Sequence, residues 1–101
     1  MIKPFSSTFL TPTKAFRRLS VLLAIHDSPN RSQHDMARIT HLSSSMVNNY
    51  IKAFQREGSI SVSGESNRTQ RYHLTPAGRN ELISSLLAYS ADLVQLYGTT
   101  K

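Results

Sequence analysis

The chain reads as a mainly α fold that carries one small β-hairpin and closes on a long C-terminal helix. Three observations lead there. Apolar residues recur at helical spacing in separate stretches, and a capping side chain, in two cases with a proline behind it, stands ahead of each stretch. Two short polar–apolar alternations flank the turn-rich Gly64-Glu65-Ser66-Asn67-Arg68.

Taken in order, residues 1–10 show no period and include Pro4 and a Ser-Ser-Thr cluster. They read as an N-terminal arm whose Phe5, Phe9 and Leu10 need cover, which a partner subunit would supply. Thr11 followed by Pro12 is a cap with proline in the first helical position. Phe16, Leu19, Leu22, Leu23 and Ile25 then recur at helical spacing as far as Asp27-Ser28-Pro29-Asn30. Ser32, with Asp35 three residues on, opens a two-turn helix with Met36, Ala37 and Ile39 inward. Ser43 starts a third helix that runs to Gly58. Its stripe of Val47, Tyr50, Ile51 and Phe54 is apolar, whereas Ser44, Ser45, Asn48, Asn49 and Lys52 form a wholly polar face. Ile60-Ser61-Val62-Ser63 and Arg71-Tyr72-His73-Leu74 pair as an antiparallel hairpin. Thr75-Pro76 repeats the cap-plus-proline start, and the last helix ends at Gly98.

Composition narrows the function. At 101 residues the chain is one domain in length, and 39% hydrophobic residues suffice for a core. Twelve Lys and Arg against six Asp and Glu leave a charge of +6, which calls for a polyanion, nucleic acid before an anionic membrane surface. The charge is not spread evenly: residues 1–79 hold eleven basic against four acidic side chains, whereas residues 80–101 hold one against two. The absence of cysteine excludes disulfides, thiolate metal sites and a cysteine nucleophile, and suits a reducing cytoplasm. The longest apolar run, Val21 to Ile25, is far short of the ~20 residues of a membrane span, and the N-terminus lacks the apolar stretch of a secretory signal.

A short helix, a tight turn, a second helix and then a basic-tipped hairpin is the order of a winged helix-turn-helix, in which the second helix of the pair enters the major groove. The fold expected is therefore a three-helix core, a two-stranded wing and a long C-terminal helix. Its third helix of about 15 residues, hence about 22 Å, fits a groove about 12 Å wide. Asparagine pairs bidentately with adenine at about 1–3 kcal/mol of discrimination, which makes Asn48 and Asn49 base-reading candidates. Ser44 and Ser45 would touch base edges or phosphate, and Lys52 a phosphate or a guanine. The free amides and positive dipole ends at Ser32, Gln33 and Ser43 would hold phosphates, with Arg31 beside the first. Arg71, on the outward side of the return strand, would bind phosphate as well.

Three strings resemble a known family. Met36-Ala37-Arg38-Ile39-Thr40-His41-Leu42-Ser43 resembles the turn of MarR-like winged-helix transcriptional regulators, with small Ala37 at the close approach and Leu42 plugging the turn. Phe54-Gln55-Arg56-Glu57-Gly58-Ser59-Ile60 is similar to that family's exit into the wing, and Leu74-Thr75-Pro76-Ala77-Gly78-Arg79 to its junction after it. The resemblance spans residues 12 to 97 and implies double-stranded DNA as partner. It also implies that Arg68, near the hairpin tip, is a minor-groove wing arginine. His41 stands where the family has glycine, and Ser66 where it has the aspartate two residues before the wing arginine.

The last helix carries two apolar lines, Leu82, Leu86, Leu93 and Tyr97 on one and Ile83, Leu87 and Val94 on the other, a band wider than a domain edge needs. One line covers the core and the other asks for a partner. A homodimer joined there, with the first helix and the arm, would set two recognition helices about 34 Å or a multiple apart. The organisation expected is an arm over 1–10, a DNA-binding domain over 11–75 and a dimerisation helix over 76–101.

Competing readings are weaker. His26, His34, His41 and His73 fall on different elements with no clustered carboxylates, so no metal or other cofactor is expected. No nucleophile–base–acid set, phosphate loop or carboxylate pair points to an enzyme. Arg17, Arg18, Arg38, Arg56 and Arg79 read as solvated or internally paired. The alternative function is a winged-helix module for pairing subunits or binding a protein, as the first part of a longer chain. RNA fits less well because a helix does not enter its narrow major groove. No residue identifies an effector, a target sequence or the sign of regulation.

Overall fold

The computed structural model describes residues 13–66 and 69–98. The arm of residues 1–10, Thr11, Pro12, Arg68 and the Tyr97 side chain lie outside the described residues. Within them the elements follow in the expected order: α1 (Lys14–Asp27), α2 (Gln33–Thr40), α3 (Ser44–Glu57), β1 (Ile60–Ser63), β2 (Arg71–Leu74) and α4 (Pro76–Gly98).

Helix α1 is capped by Thr13, not by the expected Thr11. The Thr-Pro-Thr string offers two hydroxyls, and it is the Oγ1 of Thr13, with φ −84° and ψ 168°, that accepts from the Phe16 amide at 3.1 Å. Leu19, Val21, Leu22, Ala24 and Ile25 are buried, while Leu23 remains 43% exposed. Helix α2 begins at the expected cap, where Ser32 Oγ accepts from the Asp35 amide at 3.1 Å. Met36 and Ala37 are buried, but Ile39, expected inside, is 40% exposed. Successive residues turn by about 100°, so a helix that centres its inward side between Met36 and Ala37 swings Ile39 about 110° away.

The turn between α2 and α3 passes through His41 at φ 59° and ψ 32°, a left-handed conformation of the kind that glycine adopts freely. Histidine adopts it at a cost that glycine escapes. In return the His41 and Leu42 amides both donate to the Ala37 carbonyl, which closes α2. Ser43 then caps α3 by accepting from the Met46 amide at 3.1 Å, and Gly58 ends it at φ 75°.

The hairpin pairs Ile60 with Leu74, Ser61 with His73, Val62 with Tyr72 and Ser63 with Arg71. Alternation turns Tyr72 into the core and leaves Arg71 and His73 exposed. The Tyr72 amide donates out of the hairpin to the Pro29 carbonyl at 3.1 Å, tying β2 to the α1–α2 loop. Helix α4 starts at the expected cap: Thr75 Oγ1 accepts from the Gly78 amide at 3.1 Å and donates to the Gly58 carbonyl at 2.6 Å. The end of α3 and the start of α4 therefore share one hydroxyl.

One core joins these parts. Val21, Leu22, Ile25, Met36, Val47 and Phe54 are its largest fully enclosed side chains, closed over by Ile60, Tyr72 and Leu82. Each is worth about 1.5–3 kcal/mol of burial. Arg18 lies across this core with its guanidinium 4.6 Å from the Phe54 ring centre and bonds to Glu57 at the end of α3 and to Glu81 on α4. The Glu81 bond, and then Glu57, raise the guanidinium above even the ordinary arginine range, and Arg18 in turn holds the Glu57 carboxyl below the usual carboxylate range.

Candidate nucleic-acid interface

Helix α3 buries Val47, Ile51 and Phe54. At about 100° per residue, the line opposite them is Ser45, Asn49, Lys52 and Arg56, and all four are exposed. The five polar positions singled out in the sequence therefore do not share one line. Ser44 is exposed and Asn48 half-buried on one flank, while Asn49 faces out. Along the other flank, Met46, Asn49, Tyr50 and Ala53 meet Lys14, Ala15, Arg17 and Arg18 around a groove of about 630 Å³. Arg56, set aside in the sequence as ordinary, extends the outward line one turn beyond Lys52. The spacing of four and seven residues from Lys52 and Asn49 was the signal that could have found it.

The helix N-termini lie as the caps dictate. Ser43, Ser44 and Ser45 are all exposed at the start of α3, with the Ser43 and Ser45 hydroxyls 3.2 Å apart. At α2 Ser32 is exposed, but its neighbours are engaged. The Gln33 side chain donates to the Tyr72 hydroxyl at 3.1 Å. Arg31 is half-buried and pairs with Asp27 at 2.7 Å, so its guanidinium is held against α1. On the wing, Arg71 is exposed.

Charge pairing sorts the cations. Arg18 is taken by Glu57 and Glu81, Arg31 by Asp27 and Arg38 by Asp35, while Arg79 donates to the Leu74 carbonyl. The side chains of Lys14, Lys52, Arg56 and Arg71 make no hydrogen bond or ion pair among the described residues. Lys52 and Arg56 lie on the outward line of α3, Arg71 on the exposed side of β2 and Lys14 at the start of α1.

The two apolar lines of α4 part as their spacing requires. Leu82 is buried, Leu86 and Tyr89 are half-buried against the core and Leu93 is half-buried, with the Tyr89 ring tilted against that of Phe16 of α1 at 5.6 Å between centres. Ile83, Leu87 and Val94 are 55%, 66% and 69% exposed. No described helix is long and apolar enough to cross a membrane, and no cluster of three or more metal-ligating side chains occurs among the described residues.

Residues 17–61 match the family described as winged helix-turn-helix DNA-binding. No curated protein matches the chain. Among solved structures, it is similar to a MarR family transcription regulator at 18% identity and a TM-score of 0.73, over 88% of this chain and 59% of that one. It is also similar to the transcriptional regulator BldR from Sulfolobus solfataricus, at 19% identity and a TM-score of 0.73, over 96% of this chain and 71% of BldR. MepR, a transcription regulator of the Staphylococcus aureus multidrug efflux pump MepA, matches at 15% identity and a TM-score of 0.70, over 96% of this chain and 70% of MepR. The chain thus spans about three fifths of the first of these proteins and under three quarters of the others. With its helix pair, its hairpin after α3 and its long following helix, the chain has a winged helix-turn-helix fold, similar to that of solved MarR family transcription regulators.

Proposed function

We propose that this chain is a sequence-specific double-stranded DNA-binding transcriptional regulator that works as a homodimer, with α3 in the major groove and the wing at the minor groove. The observation that carries the reading is the sorting of the cations. Four arginines are engaged by partners within the fold, whereas the side chains of Lys52 and Arg56 are unengaged among the described residues and share the outward line of α3 with the exposed Ser45 and Asn49, and Arg71 is unengaged on the wing. Asn49 reads a base edge in this account, Asn48 contributes from the flank, and Ser43, Ser44, Ser45 and Ser32 contact backbone phosphate. Gln33 offers its amide rather than its side chain, and Arg56 adds a phosphate contact beyond Lys52.

Titration of duplex affinity against salt tests this. Replacing Lys52 or Arg71 by Ala should each lower the log–log slope by about 0.9, one phosphate contact apiece. Asn49→Ala should leave that slope in place and cost about 1–3 kcal/mol on the preferred site alone. Equal loss on random and preferred duplex would remove the base-reading role.

The homodimer is supported by the outward apolar line of α4, which Ile83, Leu87 and Val94 leave uncovered by their own domain. Sedimentation at micromolar concentration should return twice the 11.3 kDa chain mass, and Leu87→Glu should return the monomer with its fold intact. A parent chain that sediments as a monomer would overturn this part.

A further inference from the structure

The wing carries one contact that its own hairpin does not need. Tyr72 is 3% exposed, and its ring belongs to the core. Its hydroxyl reaches through to the far side, where it accepts from Gln33 Nε2 at 3.1 Å and donates to Gln70 Oε1 at 3.0 Å. Gln33 is the first residue of α2, directly after the Ser32 cap, and Gln70 is the residue that leads into β2. All three side chains are half-buried or buried, so water competes poorly for these bonds. The Tyr72 amide donates to Pro29 at 3.1 Å, so one residue grips the α1–α2 segment through both its backbone and its side chain.

A two-stranded hairpin projecting from a helical domain is free to hinge about its base unless something beyond its own ladder restrains it. Resting on the DNA-binding reading above, we propose that Tyr72 is a positioning residue. Its hydroxyl, bridged between Gln33 and Gln70, sets the angle of the wing against the helix pair, so that Arg71 and α3 meet one duplex together. The chemistry suits the task. A phenol both donates and accepts, one amide side chain supplies the donor and the other the acceptor, and none carries a charge that salt would screen. The same bond explains why Gln33, at a helix N-terminus suited to phosphate, turns its side chain inward.

Tyr72→Phe removes the hydroxyl while keeping the ring, and a double-mutant cycle with Arg71→Ala on duplex affinity tests the role. In the parent, Arg71→Ala lowers affinity and the salt slope. In the Tyr72→Phe background its effect shrinks by about threefold or more, while the effect of Lys52→Ala on α3 stays within about twofold of its parent value. Gln33→Leu, which breaks the bond from the α2 side, reproduces the Tyr72→Phe result. A readout without DNA accompanies it: amide exchange at Gln70, Arg71 and Tyr72 quickens in Tyr72→Phe with α3 unchanged. An Arg71 effect of equal size in both backgrounds, or unchanged exchange in the wing, overturns the positioning role and leaves the DNA-binding reading standing. A parent chain with no salt-dependent duplex affinity removes that reading instead, and quickened exchange then still reports a wing held by Tyr72.

Discussion

Gly78→Ala should lower stability by about 2–4 kcal/mol, although alanine is the better helix former by about 1 kcal/mol. A methyl at this position would stand 2.0 Å from the Ser59 carbonyl oxygen and 3.0 Å from its carbon, and that neighbour is backbone with nowhere to rotate. The same carbonyl accepts from the Thr75 amide at 2.9 Å, and Ser59 itself is buried. Relief therefore means lifting the first turn of α4 from the α3–β1 joint, which strains the Thr75 amide bond and the bond from the Thr75 hydroxyl to Gly58. Each hydrogen bond is worth about 1 kcal/mol net. For a domain of this size a loss of that order lowers the thermal midpoint by about 8 °C or more, by the rule of about 4–8 °C per kcal/mol. A midpoint within 2 °C of the parent, on the same scale, would show that α4 does not approach so closely.

Arg18→Met should be the second most costly change, and its cost should depend on pH. Methionine keeps the packing over Phe54 but withdraws the cation from Glu57 and Glu81, leaving two carboxylates near one another. Removing one member of a fully buried pair costs about 3–5 kcal/mol. Here the arginine side chain is 28% exposed and the carboxylates 46% and 29%, so about 1–3 kcal/mol at neutral pH is the discounted expectation. The sign with pH follows from Glu57, whose carboxyl Arg18 holds below its ordinary range. A lowered folded-state value contributes stability above the unfolded value, and that contribution is lost as pH falls through the folded one. The gap between parent and variant should thus be widest near neutrality and narrow from about pH 5 downward, in urea titrations at each pH. A constant gap across that range would assign the loss to packing instead.

What the sequence disclosed was local. Ser32, Ser43 and Thr75 announced three helices because each cap acts within three residues of itself. The hairpin was legible because its alternation and its turn lie within fifteen residues, from Ile60 to Leu74. The left-handed turn at His41 was legible only against a family that places glycine there. Thr11 and Thr13 offer the same hydroxyl two residues apart, and local chemistry does not choose between them. Ile39 was misjudged because the inward direction of a helix is set by what packs on it. The Arg18 bridges to Glu57 and Glu81 join residues 39 and 63 positions apart, and the Gln33–Tyr72 bond spans 39. No pattern along the chain encodes such meetings. The outward line of α3 was half legible: Ser45, Asn49 and Lys52 stood in the polar set, whereas Asn48 was taken to face the same way.

Helix α4 behaves as a cantilever. Thr75, Gly78 and the Arg18–Glu81 bond clamp its root, and its outer length reaches beyond the contact of Tyr89 with Phe16. At about 1.5 Å per residue its 23 residues make a rod some 34 Å long. Load applied near the far tip is carried back to the clamp as torque, and the clamp includes the carbonyl at which α3 ends.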